Sequence, residues 1–131
     1  MCSYNKVFYE KINDIYEEKI QDLSKRVGPI VRMAKLVDEL NDHGEIERAK
    51  DLSPINEAIT LRDDIIKFES AIINMDNSIR ENIDYVEYLT TKYYEFKRIE
   101  TEIASNLYHL RDMKYIIFDI INKLQCLEED S

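Results

Sequence analysis

The sequence predicts an all-α protein, either an elongated antiparallel helical bundle or a helical hairpin, with coiled-coil-like heptad packing. Two observations carry this prediction. The 131 residues include only two glycines and two prolines, which is too few for the many turns of a β-sandwich or β-barrel. Apolar residues also recur at steps of three and four, the spacing that places side chains on one face of a helix.

The first predicted helical region covers residues 4–42. Gly28-Pro29 interrupts its apolar stripe, and proline lacks an amide donor and clashes with the preceding turn. We therefore expect two helices, 4–27 and 29–42, or one sharply kinked helix. A stop is predicted at residues 41–44, and residues 45–52 can form two more helical turns. The predicted inner face consists of Phe8, Ile12, Ile15, Tyr16, Ile20, Leu23, Val27, Ile30, Met33, Val37 and Leu40.

Ser53 and Pro54 predict the start of the next helix. A serine side chain can cap the free amides of a first turn, and proline at the first helical position loses no hydrogen bond. Two heptad series follow, three residues apart, as in a coiled coil. The first is Leu61, Phe68, Met75, Asn82, Leu89, Phe96, Ile103, Leu110, Ile117 and Leu124; the second is Ala58, Ile65, Ile72, Ile79, Val86 and Tyr93.

The second series shifts by one position after Tyr93, to residues that include Ile99, Met113 and Ile120. This shift predicts a break, or a change of partner face, near residues 90–92. Another candidate break lies at residues 76–78, where a serine and a glutamate have capping-box spacing. An unbroken helix over residues 54–127 would be about 110 Å long. A compact chain of this size is about 35 Å across, so we expect at least one break, with a rod as the alternative.

These signals predict a single helical domain over residues 1–131. Its later helices are expected at about 54–76 and 78–127, with a further break possible at 90–92. Residues 128–131 are expected to form a frayed acidic tail, because acids at a helix C-terminus oppose the helix dipole.

Composition argues against several functions. A net charge of −9 is opposite in sign to a surface that binds phosphates, so we expect no nucleic-acid partner. The most apolar run, residues 115–121, is far shorter than the roughly 20 residues of a membrane span. The amino terminus also lacks the apolar segment of a signal peptide. We therefore expect no membrane role and an intracellular location, in the cytoplasm or nucleus.

No residue pattern predicts a catalytic, cofactor or metal site. Cys2 and Cys126 are too isolated for a disulfide framework or a zinc site. Neither histidine follows a glutamate by three residues, as a di-iron bundle requires. Two glycines cannot supply a glycine-rich phosphate loop. We expect no enzyme, no cofactor and no metal.

The last predicted helix carries apolar residues on more than one side. Tyr94, Tyr108 and Tyr115 share a heptad position beside the main series, and tyrosine is favoured at protein interfaces. One interpretation is packing within a single bundle, and the other is contact with a partner. On the second interpretation, the residues predicted to contact the partner are Tyr94, Tyr108, Tyr115, Ile99, Met113 and Ile120.

Three functions stay open. The first is helix–helix association, as a homo-oligomer or as a subunit of a larger intracellular assembly, so that the partner is the chain itself or another helical protein. The main contact would then be the heptad series from Leu89 to Leu124. The second is a small acidic inhibitor or decoy, of viral or other origin, whose charge steers it to a basic site on a host protein. The third is a helical enzyme or ligand-binding bundle, with a pocket walled by helices and converging carboxylates.

Overall fold

The computed structural model describes residues 6–84, 88 and 90–129, without the side chains of Lys6, Val7, Asn82 and Asp84. Four helices follow one another: α1 (Lys6–Asp42), α2 (Ile46–Asp51), α3 (Ile55–Asp84) and α4 (Thr91–Glu129). Helices hold 93% of the described residues, and none of these residues is in a strand. The prediction of an all-α helical bundle is confirmed.

The chain divides into two compact units. Unit 1 consists of Met1–Gln21 and Lys67–Arg111, and unit 2 consists of Asp22–Ile66 and Asp112–Ser131. Each unit contains a segment of α1, of α3 and of α4, and α2 belongs to unit 2.

In unit 1, α3 runs antiparallel to α1, and α4 runs parallel to α1. The hydroxyl groups of Tyr9 and Ser78 share a hydrogen bond of 3.2 Å, and Tyr16 packs edge-on against Phe68 at 5.1 Å between ring centroids. The buried side chains that form this core are Tyr9, Asn13, Ile20, Phe68, Ile72, Asp76, Ile79, Phe96, Ile99, Ile103 and Leu110.

In unit 2, α3 contacts both long neighbours. Arg26 of α1 forms a 2.8 Å ion pair with Asp64 of α3, and the Arg62 guanidinium of α3 lies over the Phe118 ring of α4 at 6.0 Å. The apolar core of this unit consists of Leu23, Ile30, Val37, Leu40, Ala49, Ala58, Leu61, Ile65, Met113, Ile117, Ile120, Ile121 and Leu124.

Helix α1 continues through Gly28 and Pro29, so the predicted division into helices 4–27 and 29–42 is wrong. A proline in a helix clashes with the preceding turn and also with the amide and Cβ of the residue before it. Glycine has no Cβ, so Gly28 relieves part of this clash. A continuous helix also keeps both Leu23 and Ile30 in the core. The predicted stop at residues 41–44 is confirmed: α1 ends at Asp42, and Gly44 has a φ of +79°, which favours glycine.

Of the two candidate breaks in the heptad region, one occurs. Helix α3 passes through residues 76–78 without interruption. Helix α4 begins at Thr91, and the backbone amide of Tyr93 donates a 3.3 Å hydrogen bond to Thr90 Oγ1, which caps the first turn. The break predicted near residues 90–92 is therefore confirmed. The predicted roles of Asn82, Val86 and Leu89 lie outside the described residues, as do residues 130–131 of the predicted tail, whereas α4 includes Glu128 and Glu129.

The predicted cap at Ser53 is wrong. Its hydroxyl oxygen is buried and has no hydrogen-bond partner among the described residues. The first helical hydrogen bond of α3 instead runs from the amide of Ala58 to the carbonyl of Pro54 at 2.9 Å. Pro54 thus occupies the capping position, where it has no side-chain acceptor to offer.

Three predicted inner residues of α1 are exposed. Phe8 is 50% exposed, Ile15 is 59% exposed and Met33 is 37% exposed, while Tyr9 and Asn13 are buried. The inner positions therefore follow Tyr9, Asn13 and Tyr16, with steps of four and three. In α3, Asp76 is buried where the heptad series predicts Met75, which is only half-buried.

Candidate functional site

An open groove between α1 and α4 in unit 2 is the candidate site. It has a volume of about 620 Å³ and is lined by twelve residues. Four of these residues come from α1, and eight come from residues 116–127 of α4. The lining consists of Val31, Ala34, Lys35, Asp38, Ile116, Asp119, Ile120, Asn122, Lys123, Leu124, Cys126 and Leu127.

The floor of the groove is aliphatic. On α4 it is formed by Ile116, Ile120, Leu124 and Leu127, whose spacing of four, four and three residues keeps them on one face of the helix. Leu124 is buried, whereas Ile116 is 46% exposed. The floor therefore begins inside the core of unit 2 and ends in solvent.

Ala34 explains why α1 does not fill this space. It follows Ile30 by four residues and precedes Val37 by three, so it occupies an inner position of α1. Protein interiors are close-packed, and a side chain of a single carbon leaves volume that isoleucine or leucine would occupy. The wall on the α1 side consequently consists of Ala34 and the half-buried Val31.

Charged side chains of both signs stand along the edges. Lys35 and Asp38 line the α1 edge, and Asp119 and Lys123 line the α4 edge. Lys123 forms a 3.1 Å ion pair with Asp119, four residues earlier, and both side chains are well exposed. Cys126, a free and exposed thiol, lies at the same edge. The groove therefore has an apolar floor and polar edges, as protein-binding surfaces commonly do.

The three tyrosines predicted to contact a partner all face solvent. Tyr94 is 57% exposed, Tyr108 is 67% exposed and Tyr115 is 69% exposed. None of them lines the groove. Tyr94 packs edge-on against Tyr93, with ring centroids 5.6 Å apart. Their contact with a partner stays a prediction.

The three aliphatic residues predicted to contact a partner are buried in the chain itself. Ile99 is 0% exposed, Met113 is 4% exposed and Ile120 is 9% exposed. This placement corrects the prediction for Ile99 and Met113, because the shifted heptad series packs inside the helical bundle. Ile120 is the exception, since it also lines the groove.

Sequence reasoning missed Val31, Ala34 and Ile116 as lining residues. The available signal was an alanine at an inner helical position of α1. By itself this signal does not identify the helix on the other side of the gap.

No three His, Cys, Asp or Glu side chains of the described residues lie close enough together to hold a metal ion. None of the described helices carries a stretch long and apolar enough to cross a bilayer.

Burial raises the pKa of Tyr16 above its usual value. The hydrogen bond with Glu10, together with the charge of Glu102, raises the pKa of Arg98, which stays positively charged.

The chain matches no protein-family model, no curated protein and no solved structure.

Proposed function

We propose that this protein is a non-enzymatic interaction protein that binds an amphipathic helix of another protein in the α1–α4 groove of unit 2. The observation that supports this proposal is the aliphatic floor, which is open to solvent between two helices. An amphipathic helix that lays its apolar face into such a groove is a recurring mode of protein recognition.

The dimensions suit a helix. The α4 side of the groove extends from Ile116 to Leu127, which is about 17 Å along the helix axis. A partner helix of three turns has the same length. Its apolar residues at steps of three and four would meet the similarly spaced Ile116, Ile120 and Leu124.

A second copy of this chain is a poorer occupant. Stable protein–protein interfaces use about 20 to 30 residues on each side, and only twelve residues line the groove. The heptad series that the sequence offered for self-association, including Phe96, Ile103 and Leu110, is buried within the chain. A single helix from a larger protein fits the available surface better.

A small-molecule ligand is also a poorer occupant. The volume falls within the usual range for ligand pockets, but such pockets bury most of the ligand surface. This groove is open along its length, and its two carboxylates, Asp38 and Asp119, are exposed. Neither carboxylate has the buried environment that is typical of a catalytic carboxylate.

Binding of synthetic helices tests the proposal. Three labelled peptides of about 14 residues, each spanning about 21 Å as a helix, would share leucines at helical spacing and differ in having lysine, glutamine or glutamate elsewhere. Fluorescence anisotropy should detect binding of at least one peptide to the wild-type protein. The variant Ile116→Asp should weaken that binding at least tenfold, because it places a charge in the apolar contact.

Leu36→Asp is the matched control. Leu36 lies on α1 within unit 2, is 40% exposed and does not line the groove. We expect this variant to bind as the wild type does. The proposal is contradicted if none of the three peptides binds more tightly than about 1 mM, or if the two variants weaken binding equally.

The acidic inhibitor is the second candidate, and the negative charge favours it. In this function the protein binds a folded basic site by long-range attraction, with little contribution from apolar packing. Salt distinguishes the two functions: binding that survives about 0.5 M salt indicates apolar packing, and binding that disappears indicates charge attraction.

A further inference from the structure

We infer that the helix bound in the groove is basic, with lysine or arginine residues lying at the end of the groove where α1 and α4 terminate. This inference rests on the proposed function and adds the chemistry of the partner. Apolar contacts with the floor would provide affinity, and the charge at this end would determine which amphipathic helices bind.

The C-terminal ends of α1 and α4 lie together in unit 2. Val37 and Asn41 of α1 line one small cavity with Leu124, Leu127 and Glu128 of α4. Leu124 and Leu127 also form part of the groove floor. One end of the groove is therefore the place where both helices finish.

Two helix C-termini bring two negative dipole ends to this place. The carbonyl groups of a last helical turn carry about half a negative charge, which basic side chains in that turn usually offset. The last turns of α1 and α4 hold no basic residue. They hold acids instead, including Asp42, Glu128 and Glu129.

The surrounding segments add to the negative charge. Residues 38–51 and 119–129 contain nine acidic side chains and three basic ones. Two of the basic side chains already face an acid: Lys123 pairs with Asp119 at 3.1 Å, and Arg48 lies 3.7 Å from Glu45. The third, Lys50, lines the small cavity.

Acids at helix C-termini are unfavourable for the helices that carry them. A positively charged partner relieves the repulsion, because its side chains offset both the acids and the dipole ends. The same field also raises the rate at which a basic helix encounters the groove.

The three leucine peptides distinguish this inference from the proposed function. At low salt, we expect the leucine–lysine peptide to bind at least tenfold more tightly than the leucine–glutamate peptide, with the leucine–glutamine peptide between them. If the three peptides bind the groove with equal affinity, or if the glutamate peptide binds most tightly, the inference is wrong and the proposed function stands. If none binds, the proposed function itself fails.

A variant with three neutralised acids tests whether the charge at this end of the groove attracts the basic helix. The variant Asp42→Asn/Glu128→Gln/Glu129→Gln should weaken binding of the leucine–lysine peptide about tenfold, since it removes three exposed attractions. The helices should remain folded, because removing acids from C-terminal turns favours them. Binding of the leucine–glutamine peptide should change less than twofold.

The control removes three equally exposed acids elsewhere on α1, as Asp14→Asn/Glu18→Gln/Asp22→Asn. It makes the net charge less negative by the same three units. If this control weakens binding of the leucine–lysine peptide as much as the first triple variant does, overall charge rather than the end of the groove determines binding. That result would overturn the inference.

Discussion

The contact between α1 and α4 is constructed differently in the two units. In unit 1, Asn13 lies at a buried inner position of α1, donates a 3.0 Å hydrogen bond to Glu102, and accepts one of the same length from Asn106. Arg98 then bonds to Glu10 at 2.6 Å and to Glu102 at 2.8 Å. In unit 2, the same pair of helices presents aliphatic side chains that line an open groove.

The difference shows how polar inner residues in unit 1 and aliphatic inner residues in unit 2 affect the packing of α1 against α4. Hydrogen bonds are directional, so the part-buried Asn13–Asn106–Glu102 network favours one alignment of α1 against α4 in unit 1. Aliphatic contacts in unit 2 have no such directionality, and Ala34 leaves space beside them. The polar contact makes an internal fit specific, whereas the aliphatic contact leaves an open groove, in which we propose that another helix binds.

Shortening one core residue in each unit should give the largest difference in the free energy of unfolding between the two units. Ile99 in unit 1 is fully buried, and Ile120 in unit 2 is 9% exposed at the groove. We expect Ile99→Ala to lower the free energy of unfolding by about 4 kcal/mol, because it leaves a closed cavity. Ile120→Ala should cost about 2 kcal/mol, since water can enter from the groove. Urea denaturation measures both values, and equal costs would contradict the contrast between a closed core and an open groove.

Removing a member of the polar network in unit 1 should lower the free energy of unfolding. Asn13→Ala leaves Asn106 without its acceptor and Glu102 without one donor, so we expect a loss of about 2 kcal/mol in the free energy of unfolding. Asn122→Ala is the matched control, because Asn122 is an exposed asparagine at the groove of unit 2. It should change stability by less than about 0.5 kcal/mol. A similar small effect at Asn13 would show that the network does not stabilise unit 1.

The ion pairs should contribute less to stability than the Asn13–Asn106–Glu102 network. Arg98 links α1 to α4 but is about half exposed, so we expect Arg98→Met to cost about 1 kcal/mol. Lys123→Met removes an exposed pair within one helix and should cost about 0.3 kcal/mol. Raising salt to about 0.5 M should reduce both costs. An Arg98 variant as stable as the wild type at low salt would exclude an energetic role for this bridge.

Alkaline titration should give the smallest effect. Burial raises the pKa of Tyr16 above 10.0 in the folded state, so the folded protein holds this proton more tightly than the unfolded chain does. The resulting stability is fully present below a pH of about 10 and is lost as the pH rises through the folded pKa. We expect Tyr16→Phe to reduce the decline of the melting temperature above pH 10, whereas Tyr115→Phe, at an exposed position, should not. The same decline in both variants would rule out Tyr16 as its cause.

The sequence predicted the helices better than their contacts. Steps of three and four identified the buried face of α4, and the one-residue shift after Tyr93 located the start of that helix at Thr91. These features depend on spacing along a single helix. The predicted break at Gly28-Pro29 is wrong, because Gly28 relieves part of the clash that proline causes and a continuous helix keeps Leu23 and Ile30 in the core.

Spacing and hydrophobicity along the sequence did not predict the polar core residues or the groove. Hydrophobicity favoured Ile15 over Asn13 and Met75 over Asp76 for the inner positions, and the structure has the opposite arrangement. Asn13 is accommodated because partners from α4 satisfy its amide. The groove depends on the size of one side chain, Ala34, relative to a helix about 80 residues later in the chain, and spacing along α1 carries no such information.

Protection of Cys126 tests the central claim most directly, because this thiol lies at the edge of the groove. In a Cys2→Ser variant, where Cys126 is the only remaining cysteine, the rate of alkylation by iodoacetamide would be measured with and without the leucine–lysine peptide. We expect saturating peptide to slow the reaction at least fivefold, and we expect Ile116→Asp to abolish this protection. If the peptide binds and the rate is unchanged, the helix docks elsewhere and the groove is not the binding site.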